Sequence, residues 1–306
     1  MAAGHIGYFR GVISWAGVET RPRTYYFGPY DQLVAELARH HMKFLPILVQ
    51  APVQLTNAPS RHPLPGLYPP RRPSQFAAFV ALAVKRYGPA GTFWRANSNV
   101  PYYPIRAWQI WNEPNLSSEW EPRPDARAYV RLLRAAHRAI KRVDPHALVV
   151  TAGMPFRGVR PEAKFLAQFY RAGAHGTFDA LSIHDYAVTP GAALQRLQTA
   201  RQAMDRFGDR GKSLWLTEWA WAGGPPNPYI VNRAGQRANI AAFLKLVQSN
   251  RARLRLGELM YFGWRDTVSG PGPKSYWTYN LGLLTHALAP KPALATLTSV
   301  ARGLDR

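Results

Sequence analysis

Short apolar runs alternate with longer amphipathic segments along most of the chain. Seven apolar runs predict buried strands, at 8–14, 44–49, 106–111, 147–152, 180–184, 213–217 and 259–263. Between them, apolar residues at helical spacing predict helices at 30–40, 74–87, 126–143, 161–172, 192–207 and 235–250. Strands that alternate with helices in this way are typical of a parallel sheet, so the predicted fold class is α/β.

The connections between these segments favour a barrel over an open sheet. No glycine-rich dinucleotide or phosphate turn follows a predicted strand, and no linker divides the chain, so we expect one (β/α) barrel domain spanning 1–306. The loops 52–73, 222–232 and 266–280 follow strands and would lie at the C-terminal rim, where barrels carry their active sites. The loop 88–104 precedes a strand and should have a structural role at the opposite end.

Composition excludes several classes of protein. A hydrophobic content of 47% over 306 residues is enough for a large core and excludes a disordered chain. The absence of Cys excludes disulfides and thiolate metal sites but is compatible with either redox compartment. No apolar run is long enough to span a membrane, and "MAAGHIGYFRG" lacks the pattern of a signal peptide. We therefore expect no membrane partner.

The net charge of +22 admits two interpretations. One is a polyanion partner, because the predicted helix 126–143 carries a basic stripe formed by Arg127, Arg131, Arg134, Arg138 and Lys141. The other is a solvated outer helix, because Val130, Leu133, His137 and Ile140 form an opposing and mostly apolar face. We favour the second interpretation and expect no nucleic-acid partner, since no aromatic and basic recognition pattern accompanies the stripe.

Acids are scarce, with 17 in the chain, and five of them lie at or just beyond predicted strand ends: Glu19, Glu113, Asp185, Glu218 and Asp266. Two of the five follow strongly apolar strands directly, Glu113 after "WQIW" and Asn112, and Glu218 after "LWLT". An acid in such a place must be paired, hydrogen-bonded or neutralised. Each could be an ordinary strand-end acid held by a nearby Arg, or a group that carries chemistry.

Together with several other motifs, these two glutamates resemble the retaining glycoside hydrolases of clan A, of the family 39 and family 5 type. "WNEP" (111–114) is similar to the fourth strand of that clan and "LTEWAW" (216–221) to the seventh. "FRGVISWAGVE" (9–19), "SIHDYA" (182–187) and "YFGWRD" (261–266) are similar to the second, sixth and eighth strands. "GLLTHALAPKPALATL" is similar to the stretch that leads into the last helix. The resemblance implies a (β/α)8 TIM barrel of which seven strands, the second to the eighth, are recognisable.

The resemblance also implies an activity and a set of site residues. The expected activity is cleavage of β-glycosidic bonds in a poly- or oligosaccharide by a double displacement, with no cofactor and no metal. Glu113 would be the acid/base and Glu218 the nucleophile. The substrate-binding residues would be Arg10, Asn112, His184, Tyr186 and Trp264.

Acetal hydrolysis gives the same two roles a physical basis. One carboxyl group must protonate the leaving oxygen while the other meets the oxocarbenium-like carbon as an anion. Glu113, beside Trp108 and Trp111, has the apolar surroundings that suit a proton donor, and Glu218 would stay ionised if Arg10 and Tyr186 donate to it. Their carboxyl groups should lie about 5–5.5 Å apart, the distance of retaining enzymes.

The remaining candidates each have a structural alternative. Asn112 would hydrogen-bond the sugar 2-hydroxyl. His184 would orient a neighbouring group, or it is a core histidine with its polar atoms paired. Five tryptophans at or after strand ends could stack on sugar rings or serve only packing: Trp15, Trp219, Trp221, Trp264 and Trp277. Trp264 alone is assigned to stacking, because it lies in the eighth-strand motif of the resemblance.

A further expectation concerns the start of the chain. "MAAGHIG" reads as the end of a helix, so the resemblance implies an N-terminally incomplete barrel that lacks the first strand and most of the first helix. Relatives of this type are commonly exported, which leaves the location open.

The alternative function is a non-catalytic glycan- or polyanion-binding protein on a degenerate barrel. Binding of heparin or nucleic acid at two salt concentrations would indicate that alternative, whereas turnover of aryl glycosides would indicate the enzyme.

Overall fold

A curled parallel sheet forms the centre of the structure. The computed structural model describes residues 1, 6–156, 161–224, 230–267 and 277–304. Within them, seven parallel strands pair in chain order: β1 Tyr8–Ser14, β2 Lys43–Val49, β3 Ala107–Ile110, β4 Leu148–Val150, β5 Ala180–Asp185, β6 Ser213–Trp219 and β7 Leu256–Tyr261. The predicted α/β class and the parallel order of the seven strands are confirmed.

Long helices separate the strands and cover the outside of the sheet. They are α1 Gly28–Arg39, α2 Pro73–Tyr87, α3 Ala126–Val143, α4 Pro161–Arg171, α5 Pro190–Arg206, α6 Arg233–Leu254 and α7 Pro292–Leu304. The first six correspond to the predicted helices. α6 continues beyond its predicted end as far as Leu254, and the left-handed backbone of Arg255 (φ 48°) ends the helix.

The inside of the sheet is filled by side chains from successive strands. One interior cluster joins Leu45, Ala107, Val150, Ala180, Trp215 and Met260, and Tyr8 packs against it. Each of the seven strands contributes one residue to this cluster, so inward-facing side chains fill the interior of the sheet. The interior is therefore packed at this level, and the polar side chains that follow the strands lie nearer the rim.

The two outer strands of the sheet do not close on each other. Within the described part of the chain, β1 pairs only with β2, and β7 pairs only with β6. A cavity of about 440 Å³ lies along this seam, between residues of β1 such as Tyr8 and Arg10 and residues of β7 such as Leu259 and Tyr261.

Loops that precede strands and loops that follow strands lie at opposite ends of the sheet, as the parallel strand order requires. In the loop that precedes β3, a short helix (Thr92–Ala96) packs against α2, and the Trp94 indole donates to the Tyr87 carbonyl at 3.0 Å. This contact agrees with a structural role for 88–104. Of the three rim loops, 225–229 and 268–276 lie outside the described residues. Among the helices that the structure describes, none is both long and apolar enough to cross a bilayer.

The basic stripe lies on the outer face of α3, while Val130, Leu133 and Ile140 are buried beneath it. Two of its cations are anchored locally. Arg134 donates to the Gly173 carbonyl at 2.7 Å, and Lys141 forms an ion pair with Asp179 at 2.9 Å. These contacts agree with the interpretation of an outer helix with a solvated face.

The start of α3 offers a test of the local determinants of the fold. Asp125 caps this helix by accepting a hydrogen bond from the Ala128 amide at 2.9 Å. Asp125→Ala should lower the free energy of unfolding by about 1 kcal/mol, because an unpaired helix N-terminus remains. Urea denaturation measures the loss. Arg131→Ala, on the exposed face of the same helix, is the control and should leave stability nearly unchanged.

Candidate active site

Strand register and backbone geometry bring the two predicted glutamates together. β5 and β6 pair so that His184 lies opposite Glu218, just after a register shift at Ile183. Glu113 arrives differently, because Trp111 (φ 68°) and Glu113 (φ 43°) both adopt left-handed backbone after β3 ends. Left-handed conformations of bulky residues are costly and persist only where the surrounding structure holds them. Here they turn the chain so that the Glu113 amide donates to the Gly153 carbonyl at 3.1 Å.

Arg10, on β1, connects polar side chains on and just after β3 with Glu218 on β6. Its Nε donates to Gln109 Oε1 at 2.7 Å, its Nη1 to Glu218 Oε1 at 2.7 Å and its Nη2 to Asn112 Oδ1 at 2.8 Å. The side chains of Arg10 and Glu218 are only 8% and 10% exposed, so this ion pair is largely removed from water. A charged pair with several hydrogen bonds is the form in which buried charges are stable.

His184 lies between the two glutamates. Its Nδ1 is 2.7 Å from Glu113 Oε1 and 3.4 Å from Glu218 Oε2, and its side chain is fully buried. Its Nε2 is 3.3 Å from Arg10 Nη2, and because a guanidinium group can only donate, Nε2 must accept. The proton therefore lies on Nδ1, and His184 donates it toward Glu113.

The surroundings of Glu218 favour its ionised form. Both donors expected from the sequence contact it, Arg10 through Nη1 and Tyr186 through its hydroxyl group at 2.6 Å. Burial acts to raise the pKa of Glu218, but the electrostatic effect of the His184 Nδ1–H group and of the Arg10 charge, together with the hydrogen bonds from Tyr186 and Arg10, outweighs it, so the pKa is lowered. Burial and the Glu218 charge raise the pKa of Tyr186 well above its ordinary value, which keeps the phenol a hydrogen-bond donor.

One group of side chains in the described residues has the spacing of a metal site. Ligand atoms of Glu113, His184 and Glu218 all lie within 4.8 Å of one another. Arg10 already places a fixed positive charge against Glu218 and His184. A second cation would be repelled there, so the arrangement suits a hydrogen-bond network better than a metal ion.

The other three strand-end acids have structural partners. Glu19 accepts from the Trp15 indole at 2.6 Å and the Arg23 amide at 2.8 Å. Asp185 pairs with Arg196 at 2.8 Å, and Asp266 with Lys291 at 2.7 Å. For these three, the interpretation as ordinary paired acids is the one that the contacts support.

The tryptophans separate into packing residues and rim residues. Trp15 is buried and stacks on Phe79 with ring centroids 5.6 Å apart, and Trp219 and Trp221 are buried as well. Trp277 packs edge-on against Tyr186 at 4.9 Å. Trp264, the predicted stacking residue, is half-buried after β7 and lines the seam cavity together with Arg10.

Three residues of the site were missed in the sequence. Gln109 is the lone polar residue of β3, fully buried, and that isolation was a readable signal. Gly153 follows β4 and leaves room for His184, since a Cβ there would lie 1.8 Å from His184 Nε2. Glu119 is the third: burial, followed by the charges of Glu113 and Glu218, raises its pKa to about 7, although its place within a loop gives no signal.

Comparison with known protein families identifies the family to which the chain belongs. The profile described as glycosyl hydrolase catalytic core matches residues 95–290, which is more than half of the chain. The chain therefore belongs to the glycosyl hydrolase catalytic core family. A comparison with curated proteins finds no match.

Solved structures of glycoside hydrolases share the fold. A family 39 glycoside hydrolase from Bacteroides cellulosilyticus has a TM-score of 0.71 at 20% identity, over 99% of this chain and 60% of its own. A monomeric β-xylosidase from Caulobacter crescentus has a TM-score of 0.69 at 19% identity, over 96% of this chain and 61% of its own. The GH53 catalytic domain from Ignisphaera aggregans has a TM-score of 0.65 at 18% identity, over 96% of this chain and 85% of its own. The chain thus spans about three fifths of the first two structures, and its fold is that of the clan A barrels.

Gly153 provides a test of the packing behind the site. Gly153→Ala should displace the His184 ring, because the ring is fully buried and the added carbon overlaps it. We expect a loss of about 1–3 kcal/mol in the free energy of unfolding, as for other overpacked sites. Thermal or urea denaturation measures it. Gly191→Ala is the control, since a Cβ at Gly191 meets nothing within 4 Å, and equal stability of the two variants would contradict the assigned contact.

Proposed function

We propose that the protein is a retaining glycoside hydrolase that cleaves β-glycosidic bonds of a poly- or oligosaccharide by a double displacement. The observation that carries the proposal is the pair formed by Glu113 and Glu218, which share His184. One carboxylate oxygen of each lies within 4.8 Å of the other. Inverting enzymes separate their carboxyl groups by about 6.5–9.5 Å to admit a water molecule, so the short separation supports a covalent mechanism.

Glu218 has the properties of the nucleophile. Arg10 and Tyr186 fix its two oxygens from different sides, and its lowered pKa keeps it an anion. An oriented anion can attack the anomeric carbon as the leaving group departs. The same donors hold the carboxyl group in place once it carries the glycosyl group.

Glu113 has the properties of the acid/base. Its side chain is 16% exposed, more open than that of Glu218, as a group that meets the leaving oxygen and then water must be. His184 donates from Nδ1 to Oε1, which leaves Oε2 as the oxygen that holds the transferable proton. Donation of that proton in the first step leaves Glu113 as a carboxylate, which His184 stabilises, and in the second step this carboxylate would take a proton from the attacking water.

Asn112, Arg10 and Trp264 complete the proposed substrate site. The Asn112 amide oxygen faces Arg10, so its NH₂ group is available to the hydroxyl group beside the anomeric carbon. Trp264 would stack on the sugar ring from the rim. Among the similar structures, a β-xylosidase and a pair of fungal β-1,4-galactanases are named for β-linked glycans, which supports a β-linked substrate.

Burial of the network favours catalysis over the alternative of a binding protein. Removing two carboxylates, a guanidinium group and an imidazole from water costs free energy that binding of a neutral glycan does not require. A catalyst does require it, because fixed charges act more strongly where water is excluded. The basic stripe on α3 faces outward and has no part in this network.

Removal of the proposed nucleophile should give a characteristic rescue. Glu218→Ala should abolish formation of the covalent intermediate with aryl β-glycosides, because no other group is placed to attack. Added azide should restore turnover by entering the vacated space and give a glycosyl azide of inverted configuration. Proton NMR of the product measures the configuration. Retained configuration in the variant without azide would exclude Glu218 as the nucleophile.

The loss of hydrolysis rate on removal of the proposed acid/base should depend on the leaving group. Glu113→Ala should slow hydrolysis of substrates with poor leaving groups by about 10²- to 10⁴-fold, the usual contribution of general-acid catalysis. Dinitrophenyl glycosides should still form the intermediate and show a burst, because they need little protonation. Rates across a series of aryl leaving groups measure the dependence. Glu121→Ala, in the same loop, serves as the control, and equal losses for all leaving groups would rule out this role for Glu113.

A further inference from the structure

Gln109 is a polar residue enclosed by the interior of the sheet. It lies on β3, two residues after Ala107 of the interior cluster, so both side chains point to the inside of the sheet. Ile47 and Val150 lie opposite Gln109 on the neighbouring strands, and Gln109 is fully buried. A buried amide among apolar side chains costs free energy unless both of its polar ends are hydrogen-bonded. The partners of this amide therefore indicate what it is placed to hold.

Both ends of the Gln109 amide have a partner in the active site. Its Oε1 accepts from Arg10 Nε at 2.7 Å, and its Nε2 donates to the Trp111 carbonyl at 3.3 Å. A guanidinium group only donates and a carbonyl group only accepts, so the two contacts agree on one orientation of the amide. Gln109 thus connects the cation beside Glu218 with the left-handed turn that carries Glu113.

The hydrogen bond at Nε determines how the guanidinium plane of Arg10 is rotated. The five N–H bonds of this group form a rigid planar array, so fixing the direction of Nε–H also directs Nη1 and Nη2. With Nε on Gln109, Nη1 donates to Glu218 at 2.7 Å and Nη2 donates to Asn112 at 2.8 Å. The Arg10 side chain is only 8% exposed, so loss of the acceptor at Nε would leave a buried donor unpaired and allow the plane to rotate.

The acceptor at Nε is neutral, although a carboxylate would form the stronger bond. Hydrogen bonds between two charged groups are roughly twice as strong as neutral ones. A carboxylate at position 109, however, would share the positive charge of Arg10 with Glu218 and would place a second anion near the nucleophile. An amide offers an acceptor without a net charge. Within the described residues, Glu218 is therefore the one carboxylate that is hydrogen-bonded to Arg10.

We propose that Gln109 is a positioning residue, a neutral acceptor that holds the Arg10 guanidinium group against Glu218 and leaves its charge to that carboxylate. The proposal rests on the proposed function, in which Glu218 is the nucleophile. Gln109 acts through Arg10 and does not touch the reacting atoms. Its amide should therefore determine two separable properties, which are the rate of attack by Glu218 and the pH at which Glu218 ionises.

The pH dependence of hydrolysis separates this role from simple packing. The charged and titratable groups around Glu218 are Arg10 on β1, Glu113 and Glu119 after β3, and His184 and Tyr186 on β5. All of them stay in place when only Gln109 is replaced. Attack requires ionised Glu218, so kcat/KM should fall as the pH drops through the pKa of Glu218 in the free enzyme. An anion added beside Arg10 raises that pKa and moves the fall to higher pH.

Two variants of similar side-chain volume test the two properties. We would measure kcat/KM between about pH 4 and pH 8 for the fastest of the 4-nitrophenyl β-xyloside, β-glucoside and β-galactoside. Gln109→Glu keeps an acceptor but adds a charge, so it should move the fall at low pH upward by about one pH unit and leave the plateau nearly unchanged. Gln109→Met removes the acceptor and should lower the plateau about tenfold. Gln202→Glu, on the exposed face of α5, is the control with the same change of charge and should behave like the wild type.

An NMR measurement tests the proposal without turnover. The Arg10 Nε–H proton signal, assigned by its loss in Arg10→Lys, should be shifted downfield by its short hydrogen bond in the wild type and should lose this shift in Gln109→Met. The Glu218 carboxyl signal, assigned by its loss in Glu218→Gln, should titrate at higher pH in Gln109→Glu and at the wild-type pH in Gln202→Glu. If the wild type hydrolyses no glycoside, the proposed function fails, but both signals still test Gln109. An Nε–H signal without the downfield shift in the wild type, or an unchanged Glu218 titration in Gln109→Glu, would overturn the proposal.

Discussion

The site depends on one cation placed among buried polar groups. Arg10 donates to Gln109, Glu218 and Asn112 and lies against His184, so a single guanidinium group determines the orientation of residues from β3, β5 and β6. Its planar array of donors holds several acceptors in fixed directions and over a wider span than the compact ammonium group of a Lys. Each of these contacts fixes a property of the group that Arg10 touches: Glu218 stays charged, the Asn112 amide has one orientation, and His184 has one tautomer. Without this cation, Glu218 would be a buried carboxylate whose strongest partner is lost.

The two glutamates reach the same place by different means, and the difference suits their roles. Glu218 lies within β6, opposite His184 of β5, and its side chain is only 10% exposed. Glu113 lies after β3 in a turn with left-handed backbone and is more open to the rim. A nucleophile needs a fixed line of attack, whereas an acid/base must serve first a departing sugar and then a water molecule. The strain stored at Trp111 and Glu113 is offset by the packing of Trp111 against Trp120.

Much of the fold could be predicted because it follows from local periodicity. β1 coincides with its predicted range, and the helices differ at their ends by a few residues, where capping and tertiary pairing decide. Glu113 and Glu218 could be identified because an acid directly after an apolar strand is a local signal. Glu119 and Gly153 could not, since their importance arises from a turn that folds a loop back over the site and from the space that a ring occupies. Residues that are brought together only by the folding of the chain cannot be recognised as neighbours in the amino-acid sequence.

The open seam has a consequence for the dynamics of the protein. β1 carries Arg10, yet in the described part of the chain it pairs as a strand only with β2. Strands with one partner open locally at a lower free energy than central strands, and their amides exchange with solvent sooner. The cation that organises the site is thus attached to one of the two strands that pair on one side only in the described part of the chain. Fraying of β1 would remove the guanidinium group from Glu218 while β3, β5 and β6 remained paired, and the protein would lose its active arrangement through a fluctuation well short of unfolding.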